Sequence, residues 1–173
     1  ALPQTPAAFQ ADLQREFDFY RDRLFQLAEA IPADKYGWRP GDDVRSIGQV
    51  VLHVGLNNYM LLEMMRRKAP DSVYPGLPEG PQRVRAVVDQ NRAYEATVMD
   101  KARILELSKA AFAAAAEPIA TAPAASLEEP AMFFDRKTTM GGLQIRMVAH
   151  LHEHLGQLIA YARSVGVKPP WTR

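Results

Sequence analysis

The stretch LQIRMVAHLHEHLGQLIAYA, residues 143–162, decides the fold. Leu143, Met147, Leu151, Leu155, Leu158 and Ala162 recur at steps of four and three, the period of one helical face. Thr138 or Thr139 can cap the start of this helix, and Gly166 followed by Pro169 and Pro170 is an ordinary stop. Three of the four histidines in the chain fall here, His150, His152 and His154. His150 and His154 are one turn apart on one face, with Cβ atoms ~6 Å apart. His152 points to nearly the opposite side, and with Glu153 it reads as solvent face.

Working outward, the same period appears three more times. Phe9, Leu13, Phe17, Tyr20, Leu24, Leu27 and Ile31 predict a first helix from about Pro6 to Ala30, with Gln10, Asp12, Arg15, Asp18, Arg21 and Arg23 on its solvated face. Pro32 to Arg45 reads as a loop, but Tyr36 and Trp38 imply that it folds over something. Ser46 is an N-cap for a second helix carrying Ile47, Val50, Val51, Val54, Asn58, Leu61, Leu62 and Met65, which should end near Arg67 or Lys68. Ala69 to Pro81 holds four prolines and two glycines, too broken for helix and long enough to cross a bundle from end to end.

Val84, Val87, Val88, Asn91, Tyr94, Val98, Ala102 and Leu105 predict a third helix from about Gln82 to at least Ser108, which Ala110 to Ala116 can extend. Pro118, Pro123 and Pro130 are expected to break the segment that follows, with Phe133 and Phe134 packing it partly against the domain. No strand and no internal repeat is expected. Four long amphipathic helices imply an all-α protein, a four-helix bundle.

Composition narrows the function. A chain of 173 residues, 47% hydrophobic, is expected to be one domain over 1–173 with a sizeable core. Lys plus Arg total 21 against 20 for Asp plus Glu, so no global field attracts nucleic acid or anionic lipid. No apolar run approaches the roughly 18 residues that span a bilayer. The chain contains no cysteine, so any metal must be held by His and carboxylates. It begins Ala1-Leu2-Pro3-Gln4-Thr5 without Met, which implies removal of a tag or an export signal and leaves an exported and a cytoplasmic compartment both open.

His53 flanks the apolar arc of the second helix much as His150 and His154 flank that of the fourth. A lone His at such a border is ordinarily a hydrogen-bonded packing residue. A His pair one turn apart, facing a third His on another helix, can instead build a three-imidazole site with an open fourth position. The run also satisfies H-x-x-E-H, the inverted zinc-peptidase pattern, with Glu153 as base. That match reads as chance, because Leu155 to Arg173 contains no Asp or Glu to complete such a site and Glu153 points away from the apolar face.

On three motifs the chain resembles the DinB superfamily, which includes metal-dependent hydrolases and thiol-dependent transferases. They are Trp38-x-Pro40, the run Arg45-Ser-Ile-Gly-Gln-Val-Val-Leu-His53, and His150-x-x-x-His154-x-Gly-Gln157. The resemblance implies that His53, His150 and His154 bind one divalent metal, nickel or zinc, with water completing the shell. It also implies up-down-down-up topology with the long crossover between the second and third helices, and a homodimer. The ending GQLIAYARSVGVKPPW resembles members made with export signals.

Three neutral imidazoles leave a metal its full charge, so a bound water or a low-molecular-weight thiol can become the nucleophile toward an electrophilic small molecule. Asn57 and Gln157 are candidates for orienting ligands or substrate, or are simply polar helix residues. Trp38 and Tyr161 either wall a pocket or serve as lid and core packing. Three readings follow: a metal-dependent transferase or hydrolase, a non-catalytic metal-binding or stress-associated protein, and a helical interaction domain with a vestigial site.

Overall fold

The structure, a computed structural model, describes residues 6–172. Ala1 to Thr5, on which the expectation of a removed tag or signal rests, lie outside the described residues. The described residues form five α-helices and one hairpin: α1 (Pro6–Ala30), α2 (Ile47–Met64), α3 (Arg83–Thr97), α4 (Lys101–Thr121), β1 (Pro130–Phe133), β2 (Arg136–Thr139) and α5 (Met140–Ser164). Among the described residues no helix is long and apolar enough to cross a membrane.

The first helix has the expected bounds, and Leu13, Phe17, Leu24, Leu27 and Ile31 are buried along its stripe. Ser46 opens α2 with a reciprocal cap: its Oγ accepts from the Gln49 N–H at 3.3 Å, and Gln49 Oε1 accepts from the Ser46 N–H at 2.9 Å. This helix stops at Met64, short of Arg67, because Arg66 enters the left-handed region at φ 62°. Thr139 caps α5 by accepting from the Gly142 N–H at 3.1 Å, and Gly166, at φ 82°, follows the helix end.

Three expectations need correction. The third predicted helix is two helices, α3 and α4, so among the described residues there are five α-helices and not four. Val98 turns extended, and Asp100 then caps α4 by accepting from the Arg103 N–H at 2.8 Å. The apolar period runs straight across this break, which hid an ordinary Asp cap. Pro118 does not end its helix; it lies buried inside α4, which continues to Thr121. Finally, a hairpin is present, pairing Pro130 with Thr139 and Phe133 with Arg136 around the two-residue turn Phe134-Asp135. Phe134 sits at φ 55°, a conformation usually given to Gly or Asn, so its turn carried no sequence signal.

α2 packs on α4, α3 and α5, and α1 packs on α5 and α4, so α1, α4, α2 and α5 close a ring around one apolar core while α3 rests on α2. At the α2–α4 crossing a Cβ on Gly55 would lie 2.7 Å from the Ser108 Cα, so only glycine permits this approach. The connection before α3 is anchored and not merely long. Tyr74 is fully buried and donates to Asn91 Oδ1 at 2.5 Å, while Asn91 Nδ2 donates to the Leu56 carbonyl at 3.2 Å. The buried Arg83 donates to Glu63 Oε1 at 2.8 Å. These contacts set the position of α3 on α2, and with it the position of Glu95.

Candidate metal centre

His53 reaches the centre from α2, and His150 and His154 reach it from α5. One ligand nitrogen from each lies within 4.8 Å of the others, and the three side chains are half-buried. Ring centroids are 5.1 Å apart for His53 and His150, 4.9 Å for His53 and His154, and 4.5 Å for His150 and His154. His53 Nε2 and His150 Nε2 are 3.2 Å apart. Two nitrogens held at ~2.0 to 2.1 Å from one ion are separated by about 2.8 to 3.4 Å for right-angled to tetrahedral geometry, so this spacing fits a shared cation.

Hydrogen bonds fix which nitrogens are free. His53 Nδ1 donates to Glu95 Oε1 at 2.8 Å, because an ionised carboxylate can only accept, and this leaves Nε2 as the ring's acceptor nitrogen. His154 Nδ1 donates to Gln157 Oε1 at 2.7 Å, and Gln157 Nε2 donates in turn to the Tyr161 hydroxyl at 2.9 Å. Its Nε2 is likewise left for the centre. The Asn57 amide nitrogen lies 3.1 Å from His53 Nε2 and 3.0 Å from His150 Nε2, so its two hydrogens serve both lone pairs. Trp38 packs edge-on against Tyr161 at 5.4 Å. The structure thus links all four auxiliary candidates, Asn57, Gln157, Tyr161 and Trp38, to the histidines.

His152 stands apart, exposed and packed on the Tyr20 ring at 4.7 Å, and Glu153 is exposed as well. The inverted-peptidase pattern therefore does not assemble among the described residues. Sequence reasoning missed Glu95. Arg45 Nε donates to its Oε2 at 2.7 Å, and Gln49 Nε2 donates to its backbone carbonyl at 3.0 Å. The run from Arg45 to His53 accordingly supplies both one candidate ligand and two groups that clamp the acceptor behind it. No spacing rule connects Glu95 to His53, since they lie on different helices; its only signal was an acid among the buried positions of α3.

Burial, reinforced by the neighbouring His154 and His53, pushes His150 down to about 3. Burial also lowers His154, against the opposing effect of its bond to Gln157. Both are held neutral at pH 7, the state that binds metal. Burial pushes Glu95 up, but the hydrogen bonds and charges of His53 and Arg45 outweigh it and hold the carboxyl below its ordinary value. A His in an unfolded chain titrates near pH ~6.5. Between that value and about 3 the unfolded chain therefore holds a proton at position 150 that the folded protein does not. The resulting stability is complete above pH ~6.5 and is lost as pH falls toward the folded value. Metal-free protein is expected to melt at a lower temperature at acid than at neutral pH, by about 2 to 4 °C for each kcal/mol lost. His150→Gln should flatten this dependence. Thermal unfolding in chelator, followed by circular dichroism, checks both; identical profiles for the two proteins would contradict the assignment.

Comparison with known proteins agrees with this architecture. None of the curated proteins matches the chain significantly. The crystal structure of a DinB-like protein from Bacillus cereus is similar over 98% of this chain and 99% of its own, with a TM-score of 0.58 at 16% identity, which is a likeness of fold. The family profile of the DinB superfamily matches residues 16–158, a span that contains His53, Glu95, His150 and His154. With that span covering most of its length, the chain belongs to the DinB superfamily.

Proposed function

We propose that the chain binds one divalent transition metal, nickel or zinc, through His53, His150 and His154, and works as a metal-dependent transferase or hydrolase. The observation that carries this reading is the convergence of three imidazole nitrogens, with the other ring nitrogen of His53 and of His154 already engaged by Glu95 and Gln157. A divalent ion held there supplies Lewis acidity, drawing the pKa of a water or a low-molecular-weight thiol toward neutrality. The residues around it have separate tasks. Glu95 and Gln157 hold His53 and His154 in the tautomer with Nε2 free. Asn57 places an amide donor at the centre, where it can orient a nucleophile or an electrophilic small molecule. Tyr161 accepts from Gln157 and packs edge-on against Trp38, which backs that support of His154.

The apolar core is built mainly from α1, α2, α4 and α5, and among the described residues no histidine belongs to it, so folding should not require the metal. Chelation is expected to abolish turnover while circular dichroism stays helical. Nickel or zinc at a hundredfold excess over Kd should then add ~2.7 kcal/mol, about 5 to 10 °C in melting temperature for a chain of this size. Loss of helicity on chelation would make the metal structural and remove the enzymatic reading.

The same reading includes a single bundle domain over residues 1–173 with up-down-down-up topology, supported by the ring of helix contacts and the long connection after α2. It also includes a homodimer, for which exposed Phe19, Met99, Met132 and Ile145 offer apolar surface. Sedimentation at micromolar concentration should give twice 19.3 kDa; a monomer alone would exclude the dimer.

A further inference from the structure

Beside the histidines lies a cavity of about 180 Å³ whose walls include His150, Asn57, Met60, Phe133, Phe134 and Arg146. It is smaller than the ~300 to 1,000 Å³ usual for drug-sized ligands, so it admits only a short molecule. Phe133 and Arg146 also wall a second cavity, of about 200 Å³, lined further by Arg136 and Lys137. The hairpin therefore places a cationic chamber next to an apolar one that ends at His150.

The charges of that chamber are uncompensated. Among the described residues Arg136, Lys137 and Arg146 form no ion pair with any carboxylate, and Asp135, at the hairpin turn, pairs with none of them. Two of the guanidiniums converge on one ring: Arg146 lies 4.7 Å from the Phe133 centroid and Arg136 lies 5.2 Å from it. Both guanidiniums lie over Phe133, and because all three cations are exposed, solvent screens their repulsion and leaves them open to an anionic ligand. Arg146 is also one helical turn before His150 on α5, so an anion held by its fork is within a short molecule's length of the imidazoles.

We infer that the hairpin and Arg146 form a recognition site for a small organic acid, with its carboxylate on Arg146 and Arg136 and its apolar body against the Phe133 and Phe134 wall, directed at His150. This names the substrate class of the proposed metal site and rests on that reading for its role, although the acid-binding step itself needs no metal. Planar guanidinium forks match a carboxylate in two parallel hydrogen bonds, whereas the aromatic walls favour an acid with an apolar body over a bare inorganic anion.

The probes are phenylacetate and its uncharged analogue phenylacetamide, titrated by calorimetry and amide chemical shifts into the full chain held metal-free with chelator. Phenylacetate is expected to bind with shifts at Phe133, Phe134 and His150, and phenylacetamide at least about tenfold more weakly. Arg146→Ala should weaken phenylacetate about tenfold, with Arg146→Lys recovering part of the loss. Arg146 is exposed and makes no ion pair among the described residues, so the melting temperature of the variant serves as a check that it folds. Equal binding of acid and amide, or equal binding of the acid by wild type and Arg146→Ala, would overturn the inference. Nickel uptake is measured in the same proteins without chelator. If wild type takes up no nickel while Arg146-dependent acid binding persists, the acid site stands and the metal reading alone fails.

Discussion

Replacing any one of His53, His150 or His154 by Ala is expected to lower metal affinity by more than about a hundredfold, since even supporting groups around a metal ligand are worth about 10- to 100-fold. The reason is geometric. His150 and His154 share α5 and sit one turn apart, but two imidazoles leave the ion half-coordinated, and His53 is the only candidate ligand that α2 contributes. His53→Ala is therefore the most informative variant, because it tests the cross-helix site and not merely a His pair on one helix. His152→Ala, on the exposed side against Tyr20, should leave affinity unchanged. Metal content after dialysis, with competition against a chromophoric chelator, measures each case. Full retention of metal by His53→Ala would refute the three-histidine centre.

Glu95→Gln should cost about 10- to 100-fold in metal affinity although Glu95 touches no metal. Its carboxylate accepts from His53 Nδ1 at one oxygen and from Arg45 Nε at the other. An amide of the same shape can offer only one acceptor, so either Arg45 loses its partner or an N–H faces His53 Nδ1. In the second case the His53 proton moves to Nε2, where it blocks the ligand position. Helical content should be unchanged, which separates loss of positioning from loss of fold. Affinity within threefold of wild type would show that His53 is oriented by its helix alone.

Much of this protein is legible residue by residue. The stripes on α1, α2 and α5 are long enough to state both the element and its buried face, and Ser46 and Thr139 announce their caps because capping is a local hydrogen bond. The break between α3 and α4 was harder, since an apolar period does not stop at Asp100 merely because the backbone does. The hairpin was invisible because Phe134 occupies a conformation that side chains like its own rarely adopt, and β pairing depends on partners and not on single residues.

The candidate centre divides along the same line. Helical spacing alone places His150 and His154 on one face and sends His152 away from it, because both follow from a rise and a rotation that every α-helix shares. What only the tertiary structure decides is the distance from His53 to that pair, the delivery of Glu95 from α3, and the meeting of Phe133 and Arg146 beside His150. These contacts join residues as many as 97 positions apart, and they depend on how helices pack, a matter set by the summed shape of many side chains and written in no single motif.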